Sequence, residues 1–236
     1  MGNHAYHQAH PREHLQAAVV VTQDLNTPEK DTRPIAFFDI DGTLTTSDTL
    51  MPFLKYVVGA RVYYAKLFLI GPVLIGYFAK LIPNDIAKQI ILKFYLKGYH
   101  IDEVRVLGRQ FSEEMIPEMV RPDLMERLKW HQELGHQCVL VSASLDIYLN
   151  DWCKKVGITA CLCSSLEVDS GSRITGALSG SNCFGAEKAR RILINFESLT
   201  SRYSYAYGDS KGDLAMLFLV NSGFLYKKGK IKKVER

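Results

Sequence analysis

Short runs of apolar residues recur along this chain, and polar residues directly follow the first three of them. The runs cover residues 35–38, 138–141, 203–207 and 223–226. Short continuous runs of this kind predict strands that are buried on both faces. Helical patterns lie between them, at residues 122–134, 145–156, 186–198 and 211–219. This alternation predicts an α/β fold in which helices cover both faces of a parallel, Rossmann-like sheet.

Three of the predicted strands end in a side chain suited to phosphate or metal. Asp39 follows the first strand, Ser142 the second and Asp209 the third. Ligands of parallel sheets bind at the carboxyl ends of the strands. We therefore expect these three side chains to form one site.

The stretch from residue 48 to 121 departs from the alternation of strands and helices. Its pattern is helical throughout, with breaks expected at Pro52, Pro72, Pro83 and Pro117. It predicts a helical cap inserted after the first strand, whereas residues 166–180 predict a β-hairpin. The predicted division of the chain is a polar tail at 1–33, a catalytic core at 34–47 and 122–226, the cap at 48–121 and a basic tail at 227–236.

Composition narrows the class of protein. The 236 residues carry a net charge of +4, but six of the 29 basic residues and only one of the 25 acidic ones lie in the last ten positions. The rest of the chain is nearly neutral, which argues against a nucleic-acid-binding domain. Five cysteines without framework spacing favour reduced thiols and a cytoplasmic protein. Residues 1–33 hold four of the seven histidines and predict a disordered tail.

Two carboxylates, Asp39 and Asp41, follow the first strand. The first is placed to attack phosphorus as a nucleophile, and the second can reach the leaving-group oxygen. Phosphoryl transfer also needs positive charge and hydrogen bonds at the phosphoryl oxygens, for which Lys188 and Ser142 are the candidates.

A metal site is predicted at the end of the third strand. Asp209 and Asp213 lie four residues apart and offer hard oxygen ligands. Such ligands suit Mg²⁺ better than zinc, and a metal that bridges nucleophile and phosphate assists this chemistry.

Four segments resemble the motifs of the haloacid dehalogenase-like (HAD) phosphohydrolases, in the order of that family. They are FDIDGTLT at residues 38–45, VSAS at 141–144, GAEK at 185–188 and GDSKGD at 208–213. The resemblance covers residues 34–226 and implies the HAD fold, Mg²⁺ as cofactor and phosphatase activity on a phosphorylated substrate.

The resemblance also implies roles for single residues. Asp39 would carry the phosphoryl group as an aspartyl-phosphate, and Asp41 would act first as general acid and then as general base. Asp39, the main-chain carbonyl of Asp41 and Asp209 would hold Mg²⁺. Asp213 would support the metal site, either through water or by orienting Lys188.

The phosphate pocket follows from the same resemblance. Thr43 and the main-chain amide of Gly42 would line it, together with Ser142 and Lys188. Arginines that could bind a second anion of the substrate are Arg61, Arg105, Arg109 and Arg121.

The position of the cap resembles the phosphoserine-phosphatase-like branch of the family, subfamily IB. The chain departs from true phosphoserine phosphatases, which have Ser-Gly-Gly at residues 142–144, Asn at Gly212 and an ammonium-binding Glu at Asp48. Residues 182–185 are more similar to other members of the branch, including the bacterial phosphatidylglycerophosphatase C type. This favours a lipid phosphate such as phosphatidylglycerophosphate as substrate, with a soluble metabolite such as phosphoserine as the alternative.

An apolar stretch at residues 61–82 lies within the cap and has only Lys66 and Lys80 as charges after Arg61. Three interpretations remain open: a helix pair in the core of the cap, an interfacial element that admits a lipid phosphate, and a membrane span. The basic flanks and the basic tail at 227–236 favour contact with an anionic membrane surface, at the inner face of the membrane.

Overall fold

The computed structural model describes residues 32–235, so the prediction for the tail at 1–33 falls almost wholly outside the described residues. The strands are β1 Ile35–Phe38, β2 Gln137–Leu145, β3 Ala160–Ser164, β4 Leu166–Val168, β5 Ile174–Leu178, β6 Ser204–Gly208, β7 Ser222–Lys227 and β8 Lys230–Lys233. The helices are α1 Leu50–Val58, α2 Ala60–Phe78, α3 Asn84–Leu96, α4 Ile101–Glu114, α5 Ile116–Met119, α6 Pro122–Glu133, α7 Asp146–Lys155, α8 Ala186–Asn195 and α9 Leu214–Leu219. Short 3₁₀ turns occupy Glu197–Ser201 and Lys211–Asp213.

The main sheet of the described residues has six strands in the order β3-β2-β1-β6-β7-β8. All neighbouring pairs are parallel except β7 and β8. Alternate residues of β1 enter different cores, since Phe38 packs on one face of the sheet and Phe37 on the other. Because the strands are buried on both faces, their sequences are continuously apolar. The predicted α/β fold is confirmed.

Two strands were not predicted. β3 contains Cys161 and Cys163, which the sequence indicated only as core residues; both are buried thiols, although β3 is the strand at one edge of the sheet. β8 lies in the segment interpreted as a basic tail, where it pairs antiparallel with β7 at the edge of the sheet. Lysines are a common protection of such edges against pairing with other chains, so high charge concealed this strand.

Helices α1 to α5 occupy most of the stretch expected to be the cap. One of its four expected breaks is wrong, because Pro72 lies inside α2, whereas Pro52 lies in the first turn of α1. A proline in the first turn costs no helical hydrogen bond, and Pro72 is on the exposed side of its helix, where water can bind the carbonyl left without a donor. Pro83 and Pro117 do adjoin helix starts, as predicted.

The predicted β-hairpin is present as β4 and β5, and it packs against the helices of residues 50–119. The amide of Gly98 donates to the carbonyl of Ile174 at 2.8 Å, and the amide of Ile174 donates to the carbonyl of Tyr99 at 2.9 Å. The hairpin therefore extends the layer formed by α1 to α5, which we name the helical layer.

Two chain segments connect that layer to the sheet, and they run side by side. Thr45 forms an antiparallel bridge with Val120, and the amide of Arg121 donates to the carbonyl of Leu44 at 2.8 Å. Because Leu44 follows β1 so closely, the helical layer is attached at the carboxyl edge of the sheet. The cap boundaries at 48 and 121 stay a prediction.

The membrane-span interpretation of residues 61–82 is wrong for the helix that the structure describes there. None of the helices within residues 32–235 combines the length and the apolar character needed to cross a bilayer. The core and interfacial interpretations remain.

Candidate active site

Three neighbouring strands bring the predicted site residues to one edge of the sheet. In β1, Phe38 pairs with a residue of β2 on one side and with Tyr207 of β6 on the other. The amide of Asp39 donates to the carbonyl of Tyr207 at 3.0 Å. Ser142 and Asp209 consequently flank Asp39, as the sequence pattern predicted.

Asp39 is a buried carboxylate whose two oxygens have different donors. The ammonium of Lys188 lies 2.5 Å from Oδ1, and the hydroxyl of Thr43 donates to Oδ2 at 3.1 Å. Burial raises the pKa of Asp39, and the charge of Lys188 opposes that rise. The carboxylate is thus held in one orientation and beside positive charge.

Asp213 fixes the position of Lys188. Its Oδ1 accepts from the Lys188 ammonium at 2.6 Å. Its Oδ2 accepts from the amide of Ser210 at 3.0 Å, from the Ser210 hydroxyl at 2.8 Å and from the amide of Asp209 at 3.2 Å. Although burial opposes its charge, the carboxylates of Asp39 and Asp213 raise the pKa of Lys188, so the lysine is charged at any physiological pH.

Three carboxylates form the cluster suited to a cation among residues 32–235. Asp39, Asp209 and Asp213 each place one oxygen within 4.8 Å of the other two. Burial, followed by the charge of Asp213, raises the pKa of Asp209 to about 6, and a divalent cation beside these carboxylates would favour their charged forms. Hard oxygen donors suit Mg²⁺, and the residues present therefore fit it.

Gly42 makes room for this cluster. A Cβ at this position would lie 2.3 Å from Oδ2 of Asp209, and the backbone φ of +79° is one that residues with a side chain rarely adopt. Only glycine lets the loop after β1 pass so close to Asp209.

The carboxylate of Asp41 lies outside the cluster, and its predicted metal contact through the main-chain carbonyl stays a prediction. Its Oδ1 accepts from the amide and the hydroxyl of Thr49, both at 2.7 Å, and its Oδ2 accepts from the hydroxyl of Ser144 at 2.5 Å. Burial and then the charge of Asp48 raise the pKa of Asp41 to about 6, against the opposing hydrogen bonds. A carboxyl group of this pKa can serve as both acid and base near neutrality.

Thr49 and Ser144 were not predicted as site residues. Ser144 was detectable, because it lies two positions after Ser142 in β2, and alternate residues of a strand share a face. Thr49 precedes α1 and gave no signal, since its contact with Asp41 depends on how the chain leaves the core.

The predicted phosphate-binding residues differ in what they face. Ser142, Gly42 and Lys188 line a polar cavity of about 490 Å³ together with the carboxylate cluster. The hydroxyl of Ser142 also accepts from the amide of Ser144 at 2.9 Å. Thr43 is fully buried, and its hydroxyl is bonded to Asp39.

A second, mostly apolar cavity of about 510 Å³ opens beside the polar one. Asp41, Asp48 and Tyr77 line both cavities. The apolar walls come from α1, α2 and α3, with Leu50, Met51, Pro52, Leu74, Ala87 and Ile91 among them. A group bound to a phosphate at Asp39 would enter this second cavity past Asp41.

Phe184 accounts for Gly212, one of the departures from the phosphoserine phosphatase pattern. A Cβ at Gly212 would lie 2.4 Å from the ring of Phe184. The ring, which also lines the polar cavity, thus occupies the space that an asparagine at residue 212 would need.

Arg121, a candidate for binding a second substrate anion, contacts the loop after β1 and lines neither of the two cavities. Its Nε donates to the carbonyl of Thr43 at 3.2 Å and its Nη2 to the carbonyl of Gly42 at 3.3 Å. Its Nη1 donates to the hydroxyl of Tyr226 at 3.0 Å, and the guanidinium lies 4.3 Å from the centre of that ring.

The other arginine candidates lie on helices outside the two cavities. Arg105 pairs with Asp102 at 2.7 Å, and Arg109 pairs with Asp151 at 3.7 Å. Arg61 is exposed at the start of α2. None of these three lines the polar or the apolar cavity of the described residues.

Comparison with known proteins gives consistent results. The model of the haloacid dehalogenase-like hydrolases matches residues 36–217. Protein CicA of Caulobacter vibrioides is 31% identical over 194 residues, covering 82% of this chain and 86% of CicA. The phosphoserine phosphatase SerB1 of Mycobacterium tuberculosis is 28% identical over 216 residues, covering 88% of this chain and 69% of SerB1. A crystal structure of a protein of unknown function from Bordetella pertussis Tohama I superimposes with a TM-score of 0.71 at 20% identity, covering 81% of this chain and 89% of that one.

Proposed function

The chain belongs to the haloacid dehalogenase-like hydrolases, in their phosphoserine-phosphatase-like branch, and we propose that it hydrolyses a phosphate monoester through an aspartyl-phosphate on Asp39 with Mg²⁺ as cofactor. It is an enzyme of the phosphatase type. One observation carries the proposal: the carboxylate of Asp39 lies between Lys188 and Thr43, while Asp41, at the junction of the two cavities, has a pKa raised to about 6.

In the first step an oxygen of Asp39 attacks phosphorus, and the bond from phosphorus to the leaving oxygen breaks. Asp41 in its protonated form donates its proton to that oxygen, so the product leaves as an alcohol. The ammonium of Lys188, the hydroxyl of Ser142 and the amide of Gly42 bind the phosphoryl oxygens and stabilise their charge.

In the second step Asp41, now a carboxylate, takes a proton from water. The water oxygen attacks phosphorus, and the bond to Asp39 breaks to release inorganic phosphate. The two hydrogen bonds from Thr49 and the one from Ser144 hold Asp41 in place for both transfers.

Mg²⁺ would be held by Asp39 and Asp209, with Asp213 supporting the site through its contact with Lys188. When bound, the ion would neutralise negative charge on the phosphoryl group and on the two carboxylates.

We propose a lipid phosphate, such as phosphatidylglycerophosphate, as the substrate. The apolar walls of the cavity beside Asp41 support this choice, because they would receive the apolar part of the leaving group. We propose further that the enzyme meets this substrate from the cytoplasm at an anionic membrane surface, through residues 61–82 and the basic residues at 227–236. In the latter segment, β8 still presents three exposed lysines.

A soluble metabolite such as phosphoserine is the alternative. Asp48 supports it, because its exposed carboxylate lines both cavities at the position where the resemblance places an ammonium-binding acid. The similarity to a protein named phosphoserine phosphatase points the same way.

A phosphatase panel tests the proposal. Purified protein with Mg²⁺ would be assayed for phosphate release from phosphatidylglycerophosphate in vesicles, from phosphoserine and from a chromogenic phenyl phosphate. We expect Asp39→Asn to lower every measurable rate by at least about a thousand-fold, because the nucleophile is lost. The reaction would be ruled out if no monoester released phosphate, or if Asp39→Asn changed nothing; faster turnover of phosphoserine than of the lipid would select the alternative.

A further inference from the structure

Helix α2 is apolar on every side, including the side that faces away from the protein. Between Arg61 and Lys80 its one charged residue is Lys66. The ammonium of Lys66 donates to the carbonyl of Phe94 at 2.8 Å and lies over two aromatic rings of α3. The lone interior charge of the helix is therefore on its packed side.

The opposite side carries large apolar side chains in contact with solvent. Phe68 is 85% exposed, Ile75 is 71% exposed and Leu69 is 66% exposed, while Tyr63 and Ile70 on the packed side are 9% and 3% exposed. We name the exposed side the α2 outer face and define it by Ala65, Phe68, Leu69, Pro72, Ile75 and the adjoining Leu81. The spacing of residues 65, 68, 72 and 75 places them along one line of the helix.

A helix that is apolar all round is expected to be covered all round. The described residues leave the α2 outer face uncovered, and contiguous apolar surface of this kind marks interaction sites. The charged residues around the α2 outer face indicate which partner would cover it.

Positive charge borders the α2 outer face at both ends. Arg61 at the start and Lys80 beyond the end are exposed. From residue 49 to residue 84 the chain contains four basic residues and no acidic one. An apolar strip with cations at its ends matches an anionic bilayer, in which acyl chains lie beneath a layer of phosphates.

A second copy of the chain matches less well. Two such faces packed together would bring the cations of one copy near those of the other. The nearest acids in sequence are Asp48 and Asp85, which flank residues 49–84, and Asp85 already accepts from the side-chain amide of Asn182 at 2.9 Å. Like charges brought together in this way oppose association.

The packed side of the same helix reaches the candidate active site. Leu74 and Tyr77 line the apolar cavity that also contains Asp41. One helix, about 10 Å across, therefore separates the α2 outer face from the cavity proposed for the leaving group.

We infer that the α2 outer face is the surface by which this protein lies on an anionic lipid bilayer, with α2 parallel to the membrane plane. The link to catalysis rests on the proposed lipid phosphatase function, since it places the leaving-group cavity next to the acyl chains. The binding itself does not require that function.

Vesicle sedimentation with the full chain tests this inference. The probes are sucrose-loaded vesicles of phosphatidylcholine alone and of phosphatidylcholine with 30 mol% phosphatidylglycerol, a proportion of about one anionic lipid in three chosen to give a negative surface. The variants are Phe68→Ser/Ile75→Ser in the α2 outer face and Val106→Ser/Leu193→Ser as a matched control. The control residues are 58% and 52% exposed and lie on α4 and α8.

We expect the wild type to bind the anionic vesicles and not the neutral ones. The Phe68→Ser/Ile75→Ser variant should need at least about ten times more anionic lipid for half-binding, because it loses buried apolar area, and the control should bind like the wild type. Arg61→Gln/Lys80→Gln should weaken binding to the anionic vesicles in low salt, because it removes the cations at the two ends of the α2 outer face. This second variant tests the same surface if circular dichroism shows that Phe68→Ser/Ile75→Ser is unfolded.

Three results would overturn the inference: no binding of the wild type to anionic vesicles, equal binding of both serine variants, or a wild-type dimer that Phe68→Ser/Ile75→Ser dissociates in sedimentation velocity. Failure of the proposed function is a separate result. In that case the wild type would release no phosphate from any monoester, whatever it does with vesicles.

Discussion

The catalytic edge of the sheet and the helical layer above it each contain a buried lysine, and the two ammonium groups have different partners. Lys188 at the sheet edge lies 2.5 Å from Asp39 and 2.6 Å from Asp213. Lys88 in α3 donates to the carbonyl of Ala143 and, at 2.8 Å, to the amide oxygen of Asn182. Among the described residues no carboxylate lies within ion-pair distance of Lys88.

The two surroundings have opposite effects on the lysine pKa. Burial opposes both charges, but the two carboxylates raise the pKa of Lys188, whereas burial lowers the pKa of Lys88 to about 8. The lysine at the sheet edge is thus held by buried charge pairs, while the lysine of the helical layer is held by hydrogen bonds to uncharged groups.

Replacing each lysine by methionine is the strongest test of this difference. Lys188→Met leaves Asp39 and Asp213 buried without a cation, so we expect the free energy of unfolding to fall by about 3 to 5 kcal/mol. Phosphatase activity should fall by at least about a thousand-fold, since the phosphoryl oxygens lose their cation. Lys88→Met removes a donor only from neutral acceptors, one of which, the amide oxygen of Asn182, still accepts from the Ser164 hydroxyl at 2.9 Å, and it should cost about 1 to 3 kcal/mol.

Urea unfolding of both variants and of the wild type gives the two free energies. Equal losses of unfolding free energy in the two variants would show that the charge pairs of Lys188 stabilise the fold no more than the neutral contacts of Lys88. The proposed difference between the two regions would then be wrong.

A pair of glycine substitutions tests the geometry of the two regions. Gly42 and Gly98, one in each region, have φ values of +79° and +87°, so alanine strains the backbone at both, by about 1 to 2 kcal/mol. A Cβ at Gly42 would also meet Asp209 at 2.3 Å, whereas at Gly98 it would meet nothing within 4 Å. We expect Gly42→Ala to lower kcat by about a hundred-fold, because it displaces a group that must be placed within about 1 Å.

Gly98→Ala is the control, with a loss of stability from backbone strain alone and unchanged kcat. Steady-state kinetics and thermal unfolding measure both quantities. If both variants lost activity equally, backbone strain and not the contact with Asp209 would be the cause.

Substitution of Arg121, which lies where the sheet edge and the helical layer join, should have a smaller effect on kcat. Its guanidinium holds the carbonyls of Gly42 and Thr43, so Arg121→Gln should loosen the loop that supplies the Gly42 amide. We expect kcat to fall by about tenfold, as for other residues that act through a ligand-binding group, with KM changed little. Arg105→Gln on exposed α4 is the control and should match the wild type; a rise in KM alone for Arg121→Gln would indicate substrate binding instead.

Sequence patterns predicted the sheet edge better than the helical layer, and the reason is physical. Asp39, Ser142 and Asp209 each follow a buried run, and parallel strands necessarily bring their carboxyl ends together. Knowledge of the strands was thus enough to place these side chains beside one another.

The helical layer gave no comparable rule. Pro72 predicted a break that did not occur, because one missing hydrogen bond on an exposed side is tolerated when the rest of the helix packs. The contact of Thr49 with Asp41 depends on how the chain enters α1. β8 escaped detection because its lysines, typical of an edge strand, also resemble a solvated tail.

The smallest expected effect concerns a buried histidine beneath the sheet edge, and it is a dependence of the unfolding free energy on pH. His131 contacts Tyr207 at 2.9 Å and His136 at 2.8 Å. Burial, together with neighbouring positive charge, lowers the pKa of His131 from 6.5 to about 3. The folded protein therefore keeps His131 neutral below pH 6.5, while the unfolded chain binds a proton there, so folding stability falls as the pH falls.

Relative to His131→Gln, the protein that retains His131 should lose about 1 kcal/mol of unfolding free energy between pH 7 and pH 5.5. Urea unfolding of both proteins at several pH values measures this difference. Titrating groups distant from residue 131 cancel because both proteins share them, and His136, which contacts His131 at 2.8 Å, is replaced by Gln in both proteins. A difference that stayed constant with pH would mean that His131 takes up its proton in the folded state. The hydrogen bond between His131 and the hydroxyl of Tyr207 in β6 would then not require a neutral imidazole.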